Sequence, residues 1–383
     1  MPNIRGIKYV SLAEPSGYGV AGKRCLLALA RSGIPVTWAP MVPGGGGHRY
    51  YGPFTGNGLG DRELDQFCNR QIDYDVVIVH TVPEYFPFWV EAERGRTIIG
   101  HAAWETTAIP AHWRPLLNAV DHLIVPCHWN KTVFAQCGVT TPIDIVPHIA
   151  DTWATGSVPS SDRADGDGYV FYTIGVWSHR KALYCTVKAF CEAFTADDPV
   201  TLLIKTNPRD LTVRGVLRHF RRSVGQAVHR VTRHYRRPPR IRLMTDVLSD
   251  SQIRRLHLRG DCYVSLCRGE GWGIGAFDAA AHGNPVVMTA FGGQLDYLNR
   301  DLAYLVNYGL VPVINPQAPL SYSPDQRWAE PDIRHGAQQL RDVLAHPDEA
   351  RARGRALQAD VLARFGERTV IQILISAMAG ARG

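Results

Sequence analysis

The residues best suited to chemistry lie just after the apolar run DCYVSLC. Glu270 and Asp278 stand eight positions apart, and Gly271, Gly273 and Gly275 lie between them. Backbone amides of a glycine-rich turn that opens a helix form a binding site for an anion such as phosphate. Carboxylates on both sides of an anion site indicate a ligand that also has sugar hydroxyls, because a carboxylate accepts hydrogen bonds. The competing interpretation is structural, with Glu270 capping the helix and Asp278 facing solvent.

A second glycine motif, GYGVAG, occupies residues 17–22 and formally matches the dinucleotide-binding pattern GxGxxG. Two features disfavour an NAD site. Four residues, AEPS, separate the preceding strand from the first glycine, where a tight turn is expected. The region that should supply a ribose-binding acid reads TWAP at residues 37–40. A mobile glycine-rich turn is the simpler interpretation, and an NAD-type oxidoreductase remains as an alternative function.

Histidines end two of the apolar runs. His101 follows RTIIG, and His80 ends VVIVH. Ligands of open α/β sheets bind at the carboxyl ends of the strands, so His101 is expected to face a ligand. Glu105 follows four residues later and is expected to contact a second ligand or to order the loop. The alternative is that His101 and Glu105 form a helix-face pair or a structural contact.

The elements that must position these residues follow a regular alternation along the 383 residues, a length that suits two domains. Hydrophobic residues make up 45% and charged residues 20%, which excludes disordered and fibrous proteins. Twelve short apolar runs alternate with helical stretches. Because the runs lack strict polar alternation, they predict parallel strands buried on both faces. The predicted fold class is therefore α/β, with doubly wound sheets.

A polar segment divides the pattern into two halves. Residues 151–168 are rich in Gly, Ser and Asp and lack periodicity, so they predict a linker. The expected domains are 1–150 and 169–365, followed by a C-terminal helix at 366–383. No apolar run approaches the roughly eighteen residues of a membrane span. The eight cysteines form no CxxC pair, which favours a reduced, cytosolic protein.

The net charge of +7 is concentrated in one stretch. Eleven arginines and one acid lie between Arg209 and Arg242. Arg214, Arg218 and Arg221 would share a helical face with Arg222. The favoured interpretation is a solvated helix. The alternatives are peripheral contact with an anionic membrane, at its inner face, or RNA binding. A general nucleic-acid binder would not confine its charge in this way, so no specific nucleic acid is expected.

Several segments together resemble glycosyltransferase family 4, whose members are retaining, sugar-nucleotide-dependent enzymes. The resemblance rests on the EGWGIGAFD segment with its acids eight apart, and Asp278 stands where the family has Glu. Supporting segments are the N-terminal glycine loop, GHAAWETTAIPAHW, IVPHIAD, IGVWSHRKALYCTVKAF, LLIKTN and RWAEP. The fold implied is GT-B, in which two Rossmann-like domains face each other across a cleft. The C-terminal helix would return to the N-terminal domain.

The resemblance implies roles for individual residues. The catalytic candidates are His101, near the donor sugar, and Glu270, facing its hydroxyls. The donor-binding candidates are Gly17, Gly19, Arg180, Lys181, Lys205, Gly271, Trp272, Gly273, Ile274, Gly275 and Asp278. Val176 stands where the family often has Arg, and the neighbouring Arg180 is inferred to supply that charge. Trp104 and Glu105, within residues 101–113, and the segment 42–60 are expected at the acceptor.

The implied reaction is hexose transfer from a UDP, GDP or dTDP donor to a saccharide, lipid-linked or small-molecule acceptor. Positive charge develops at the anomeric carbon, and negative charge develops on the leaving diphosphate. Two cations and a helix N-terminus would stabilise that diphosphate, so we expect neither a metal nor a resident cofactor. The sequence has no HExxH motif and no DxD at a strand end. A non-catalytic sugar-nucleotide or polyanion-binding module is the remaining alternative.

Overall fold

The computed structural model describes residues 4–53, 58–151, 168–213 and 223–382. The chain divides into two compact units. The first unit contains Met1–Trp104, Ala108–Ala150 and Arg364–Gly383, and the second contains Glu105–Thr107 and Asp151–Ala363. The prediction placed Glu105–Thr107 in the N-terminal domain, whereas in the structure this segment belongs to the second unit. The expected linker at 151–168 lies almost wholly outside the described residues.

The first unit is built on a seven-stranded sheet with the order β3-β2-β1-β4-β5-β6-β7. Every pairing is parallel except that of β2 with β3. Chain progression reverses between the neighbouring strands β1 and β4, which makes their carboxyl ends a topological switch point. The strands are β1 (Ile7–Leu12), β2 (Val36–Gly44), β3 (Gly47–Tyr50), β4 (Val76–His80), β5 (Thr97–His101), β6 (His122–Val125) and β7 (Ile143–Ile145). The helices are α1 (Gly17–Arg31), α2 (Phe86–Ala92), α3 (Trp113–Leu117), α4 (His128–Gln136) and the C-terminal α11 (Glu367–Gly380).

The N-terminal glycine motif lies in a helix. Ser16 caps α1, and its hydroxyl accepts a hydrogen bond from the amide of Gly19 at 3.2 Å. A Cβ at Gly19 would lie 1.8 Å from the carbonyl oxygen of Glu14, so no side chain fits there. Gly17 and Gly19 therefore begin α1 rather than forming a mobile turn, and the close approach of the helix to the loop that precedes it explains Gly19.

The second unit has a six-stranded, fully parallel sheet with the order β10-β9-β8-β11-β12-β13. Its switch point lies between β8 and β11. The strands of this sheet are β8 (Tyr169–Ile174), β9 (Val200–Lys205), β10 (Arg240–Met244), β11 (Cys262–Ser265), β12 (Val286–Thr289) and β13 (Tyr304–Val306). An antiparallel hairpin follows, formed by β14 (Tyr308–Pro312) and β15 (Arg327–Pro331). The helices are α5 (Leu183–Ala193), α6 (Val224–Thr232), α7 (Asp250–Arg259), α8 (Ile274–Ala281), α9 (Ile333–Ala345) and α10 (Pro347–Phe365), the last of which runs to the domain boundary.

The strand predictions agree with the structure. Each of the twelve apolar runs contains one of the parallel-sheet strands β1, β2 and β4 to β13. The predicted α/β fold class with doubly wound parallel sheets is confirmed. The core of the second unit packs α5 and α9 against the sheet, with Phe190 and Leu340 fully buried. Burying one such side chain stabilises the folded state by about 1.5–3 kcal/mol.

The last helix, α11, belongs to the first unit and packs against α1. Arg31 at the end of α1 pairs with Glu367 at the start of α11, with N–O distances of 2.6 and 2.7 Å. Val370, Leu374 and Met378 are buried and recur at intervals of four, which is the spacing of one helical face. Among the described residues, no helix is long and apolar enough to cross a membrane.

The α9 packing yields a stability prediction. Leu340→Ala removes a fully buried side chain and should lower the free energy of unfolding by about 2–5 kcal/mol, because a cavity remains. Leu344→Ala, on the same helix but only partly buried, is the matched control and should cost clearly less. Urea denaturation followed by tryptophan fluorescence measures both. Equal losses would show that Leu340 is not the packing contact described.

Candidate functional site

The candidate site of the second unit lies at the carboxyl ends of β8 and β11, the switch point of its sheet. The loop after β8 bears Arg180 and Lys181 directly before α5. The loop after β11 bears Glu270 and leads into α8. The loop after β12 joins them, because the amide of Gly293 donates to the carbonyl of Glu270 at 2.9 Å. Residues predicted from two separate segments, IGVWSHRKALYCTVKAF and EGWGIGAFD, thus converge at one edge of the sheet.

Glu270 is held by both cations. Its Oε2 atom lies 3.0 Å from Nη1 of Arg180, and its Oε1 atom accepts a short hydrogen bond from Nζ of Lys181. The carboxylate is only 9% exposed, so its charge must be compensated by neighbours. Glu270 is thus an acceptor with two charged donors, and it does not cap α8.

The pKa of Glu270 reflects this balance. Burial raises the pKa of the carboxyl group, but the charges and hydrogen bonds of Lys181 and Arg180 outweigh burial and lower it below its usual value. Burial alone would lower the pKa of the Arg180 guanidinium, but Glu105 and Glu270 raise it instead. Glu270 and Arg180 therefore remain ionised at neutral pH.

The glycine-rich turn before α8 is fixed by aromatic side chains. Gly273 has a φ of +89°, which favours glycine, and it is the N-cap of α8. The hydroxyl of Tyr297 donates to the carbonyls of Trp272 and Gly273, each at 3.1 Å. The rings of Trp272 and Tyr297 lie 5.1 Å apart. The positive end of the α8 dipole is therefore held at the carboxyl edge of the sheet, within the predicted segment Gly271–Gly275.

The other predicted donor-binding residues of this unit are Asp278 and Lys205, which differ in burial. Asp278 lies on α8 and is only 4% exposed, so it does not face solvent as the structural interpretation required. Lys205 ends β9, beside β8 in the sheet, and its Nζ donates to the carbonyl of Thr206 at 3.1 Å. Burial lowers the pKa of Lys205, and Asp246 opposes that shift.

The first unit has three histidines near the carboxyl edge of its sheet. His80 and His101 end the paired strands β4 and β5, and their rings stack at 3.6 Å. The ring of His148 lies 5.8 Å from that of His101. Nδ1 of His80 is 2.7 Å from the hydroxyl of Tyr9, whereas neither ring nitrogen of His101 has a hydrogen-bond partner among the described residues.

Burial lowers the pKa of both stacked histidines well below the usual value. The proximity of His148 adds to the effect at both rings, and that of His80 adds to it at His101. His101 is therefore a neutral imidazole at pH 7. A neutral ring can donate one hydrogen bond and accept another. The predicted position of His101 at a strand end is the position observed, and its two buried ring nitrogens have no hydrogen-bond partner among the described residues.

The expected acceptor residues have other contacts. Trp104 is only 4% exposed, its indole nitrogen donates to the carbonyl of Ala108 at 2.7 Å, and its ring packs against Trp113. Trp104 therefore lies in the core of the first unit, and its contact with an acceptor stays a prediction. Glu105 pairs with Arg180 at 2.9 Å and accepts a hydrogen bond from Tyr322. Of the segment 42–60, residues 42–50 form the turn side of the β2–β3 hairpin, and residues 54–57 are not among the described residues.

The arginine-rich stretch is described only in part. The predicted face of Arg214, Arg218, Arg221 and Arg222 lies outside the described residues. Of the remainder, Arg230 pairs with the buried Asp210 at 2.7 Å, and Arg237 pairs with Asp197. These two ion pairs show that part of the positive charge is compensated within the unit.

Sequence reasoning missed Tyr297 and Tyr322. Both act through contacts with residues distant in the chain, and neither lies in a motif. Across the part of the chain that the structure describes, no group of three or more His, Cys, Asp or Glu side chains could hold a metal ion.

Comparisons with known proteins identify the fold. No model of a known protein family matches the sequence, and no curated protein sequence matches it either. Solved structures do match. The HepE protein of Anabaena, in complex with UDP and glucose, is 14% identical, with a TM-score of 0.67 over 98% of this chain and 100% of that one.

Two further structures cover nearly the whole of both chains. Sucrose-phosphate synthase from Thermosynechococcus elongatus is 14% identical, with a TM-score of 0.69 over 99% of this chain and 100% of that one. A glycosyltransferase from Rickettsia africae is 12% identical, with a TM-score of 0.70 over 99% of each chain. Likeness at this level of identity shows the fold alone, and the fold that these structures share with this chain is GT-B.

Proposed function

We propose that this protein is a retaining glycosyltransferase that transfers a hexose from a UDP-sugar. The proposal rests above all on one observation, the convergence of Glu270, Lys181 and the N-terminus of α8 at the switch point of the second sheet. The choice of UDP is supported by the HepE structures, one with UDP and glucose and another with UDP-glucose. The family 4 resemblance supports retention of configuration and an Asp278 contact with the ribose.

The proposed role of each group follows from its charge. The amides at the start of α8 and the ammonium group of Lys181 stabilise the diphosphate as negative charge develops on it. Lys205, at the end of β9, is a further cation at the same edge. Glu270 accepts hydrogen bonds from sugar hydroxyls near the developing positive charge. Because these groups compensate the leaving group, we propose that transfer needs neither a metal ion nor a cofactor.

His101 is proposed to act on the donor sugar as a neutral imidazole. Its buried ring nitrogens and its place at the end of β5 support this role. Gly17 and Gly19 begin α1 at the switch point of the same sheet, and we propose that they contribute to donor binding. A saccharide, lipid-linked or small-molecule acceptor is proposed.

The alternatives are less well supported. An NAD-type oxidoreductase rested on residues 17–22, but these glycines lie inside α1 rather than in a phosphate-binding turn. A non-catalytic binding module does not explain why Glu270 is kept charged and buried between two cations, an arrangement that costs desolvation energy. Peripheral membrane contact through Arg209–Arg242 and a cytosolic location stay as proposals.

Donor binding is the first test. At a concentration about a hundred times its Kd, a UDP-sugar should stabilise the protein by about 2.7 kcal/mol and raise its Tm by several degrees. Differential scanning fluorimetry with UDP-, GDP- and dTDP-sugars, and with NAD⁺, measures this. Lys181→Gln should abolish most of the shift. A shift with NAD⁺ and none with any sugar nucleotide would favour the oxidoreductase.

The second test concerns Glu270. Glu270→Gln keeps the shape of the side chain and removes its charge, so kcat for sugar transfer should fall by about two orders of magnitude or more. Glu93→Gln is a matched control, because Glu93 is also buried and paired with a lysine, Lys8, but lies in the first unit. Near-normal kcat for Glu270→Gln would contradict the assigned role.

The third test concerns metal ions. If Lys181 and the α8 dipole stabilise the diphosphate, the transfer rate should be unchanged in EDTA and should not rise when Mg²⁺ or Mn²⁺ is added. Purified, EDTA-dialysed protein assayed with the donor identified by fluorimetry gives the measurement. Loss of activity in EDTA with recovery in Mg²⁺ would show that the leaving-group chemistry is assigned wrongly.

A further inference from the structure

The guanidinium group of Arg180 lies between two carboxylates that are far apart in the sequence. Its Nε atom is 2.9 Å from Oε1 of Glu105, and its Nη1 atom is 3.0 Å from Oε2 of Glu270. The same Nη1 atom donates to the carbonyl of Gly269 at 2.9 Å. Arg180 thus joins the loop after β8, the loop after β11 and the segment Glu105–Thr107 within the second unit.

Glu105 is itself fixed from several sides. The hydroxyl of Tyr322 donates to its Oε1 atom. Its backbone packs closely on the site loop, since a Cβ at Gly269 would lie 2.2 Å from the carbonyl oxygen of Glu105. Two residues on, the amide of Thr107 donates to the carbonyl of Arg327 at 2.9 Å, and the amide of Arg327 donates to the hydroxyl of Thr107. Glu105 is therefore an anchored counter-ion rather than a surface side chain.

The arrangement distinguishes the two neighbouring cations. Three of the five N–H donors of Arg180 are used within the site, the two on Nη1 by Gly269 and Glu270 and the one on Nε by Glu105. Lys181 uses one contact, with Glu270, and an ammonium group has three donors. A planar guanidinium that is hydrogen-bonded to two carboxylates fixes the orientation of those carboxylates. An ammonium group acts as a point charge and can bind a phosphate as well.

We propose that Arg180 is a positioning residue that orients the Glu270 carboxylate, and that Glu105 and Tyr322 orient Arg180, so that none of these three side chains binds the nucleotide. This inference rests on the proposed role of Glu270 toward the donor. It replaces the expectation that Arg180 contacts the diphosphate and that Glu105 contacts the acceptor. The diphosphate is then left to Lys181 and the N-terminus of α8.

Nucleotide binding and turnover separate positioning from phosphate contact. Calorimetry should give Arg180→Gln a Kd for UDP within about threefold of wild type, whereas Lys181→Gln should weaken UDP binding about tenfold or more. In turnover of a UDP-sugar, Arg180→Gln, Glu105→Gln and Tyr322→Phe should lower kcat about tenfold or more with little change in KM, as expected for residues that act through another group.

Matched variants complete this comparison. Arg180→Lys should stay impaired, because a lysine cannot reach both carboxylates with fixed geometry. Glu93→Gln should keep wild-type Kd and kcat. The proposal is overturned if Arg180→Gln weakens UDP binding as much as Lys181→Gln does, or if Glu105→Gln leaves kcat unchanged.

A double-mutant cycle in the free energy of unfolding tests the bridge without any nucleotide. Arg180→Gln leaves Glu105 without its cation, and Glu105→Gln leaves Arg180 with one carboxylate instead of two. The double variant should therefore lose clearly less stability than the sum of the single losses. Additive losses would overturn the bridge. Wild-type protein that binds no sugar nucleotide would instead contradict the proposed function, and the cycle would still decide whether Glu105 and Arg180 are coupled.

Discussion

The structure of the second unit depends on the compensation of buried charge at one sheet edge. A carboxylate as enclosed as Glu270 is stable in its ionised form only with charged or hydrogen-bonding partners close by. Arg180 and Lys181 supply them, and Arg180 is balanced in turn by Glu105. These contacts fix three chain segments relative to one another within the unit. Removing the charge of one of these side chains therefore changes the electrostatic environment of the others.

Parallel sheet topology explains why such a group forms at this place. Neighbouring parallel strands end at the same edge, so loops that are distant in sequence meet there. In the second unit the switch between β8 and β11 brings together Lys181 and Glu270, which are 89 residues apart in the chain. In the first unit the adjacent ends of β4 and β5 bring His80 into contact with His101. The two units thus use the same geometry with different chemistry, an ion network in one and neutral, stacked imidazoles in the other.

Much of the fold could be predicted because buried parallel strands have a strong local signal. All twelve apolar runs overlap a strand, and most of these strands are buried on both faces and apolar throughout. The edge strands β7 and β10 have no fully buried residue. The three strands that were missed, β3, β14 and β15, all pair in antiparallel fashion, although β15 has the buried residues Trp328 and Ala329. β3 alternates between exposed and partly buried positions, and β14 is largely exposed. The α1 glycines were misinterpreted for a related reason, because the sequence pattern does not show that Gly19 packs against the backbone of Glu14.

The sequence by itself determined the α/β class, the positions of the parallel strands and the residue types at the candidate site. Those features follow from hydrophobicity and from glycine-rich turns, which act over a few residues. Only the tertiary structure decided which partners the charged and aromatic side chains have. Trp104 lies in a hydrophobic core, and Glu105 pairs with Arg180 and Tyr322, which are 75 and 217 residues away. Such pairings depend on where distant loops meet, and a charge or ring in the sequence is compatible with many partners until the packing selects one.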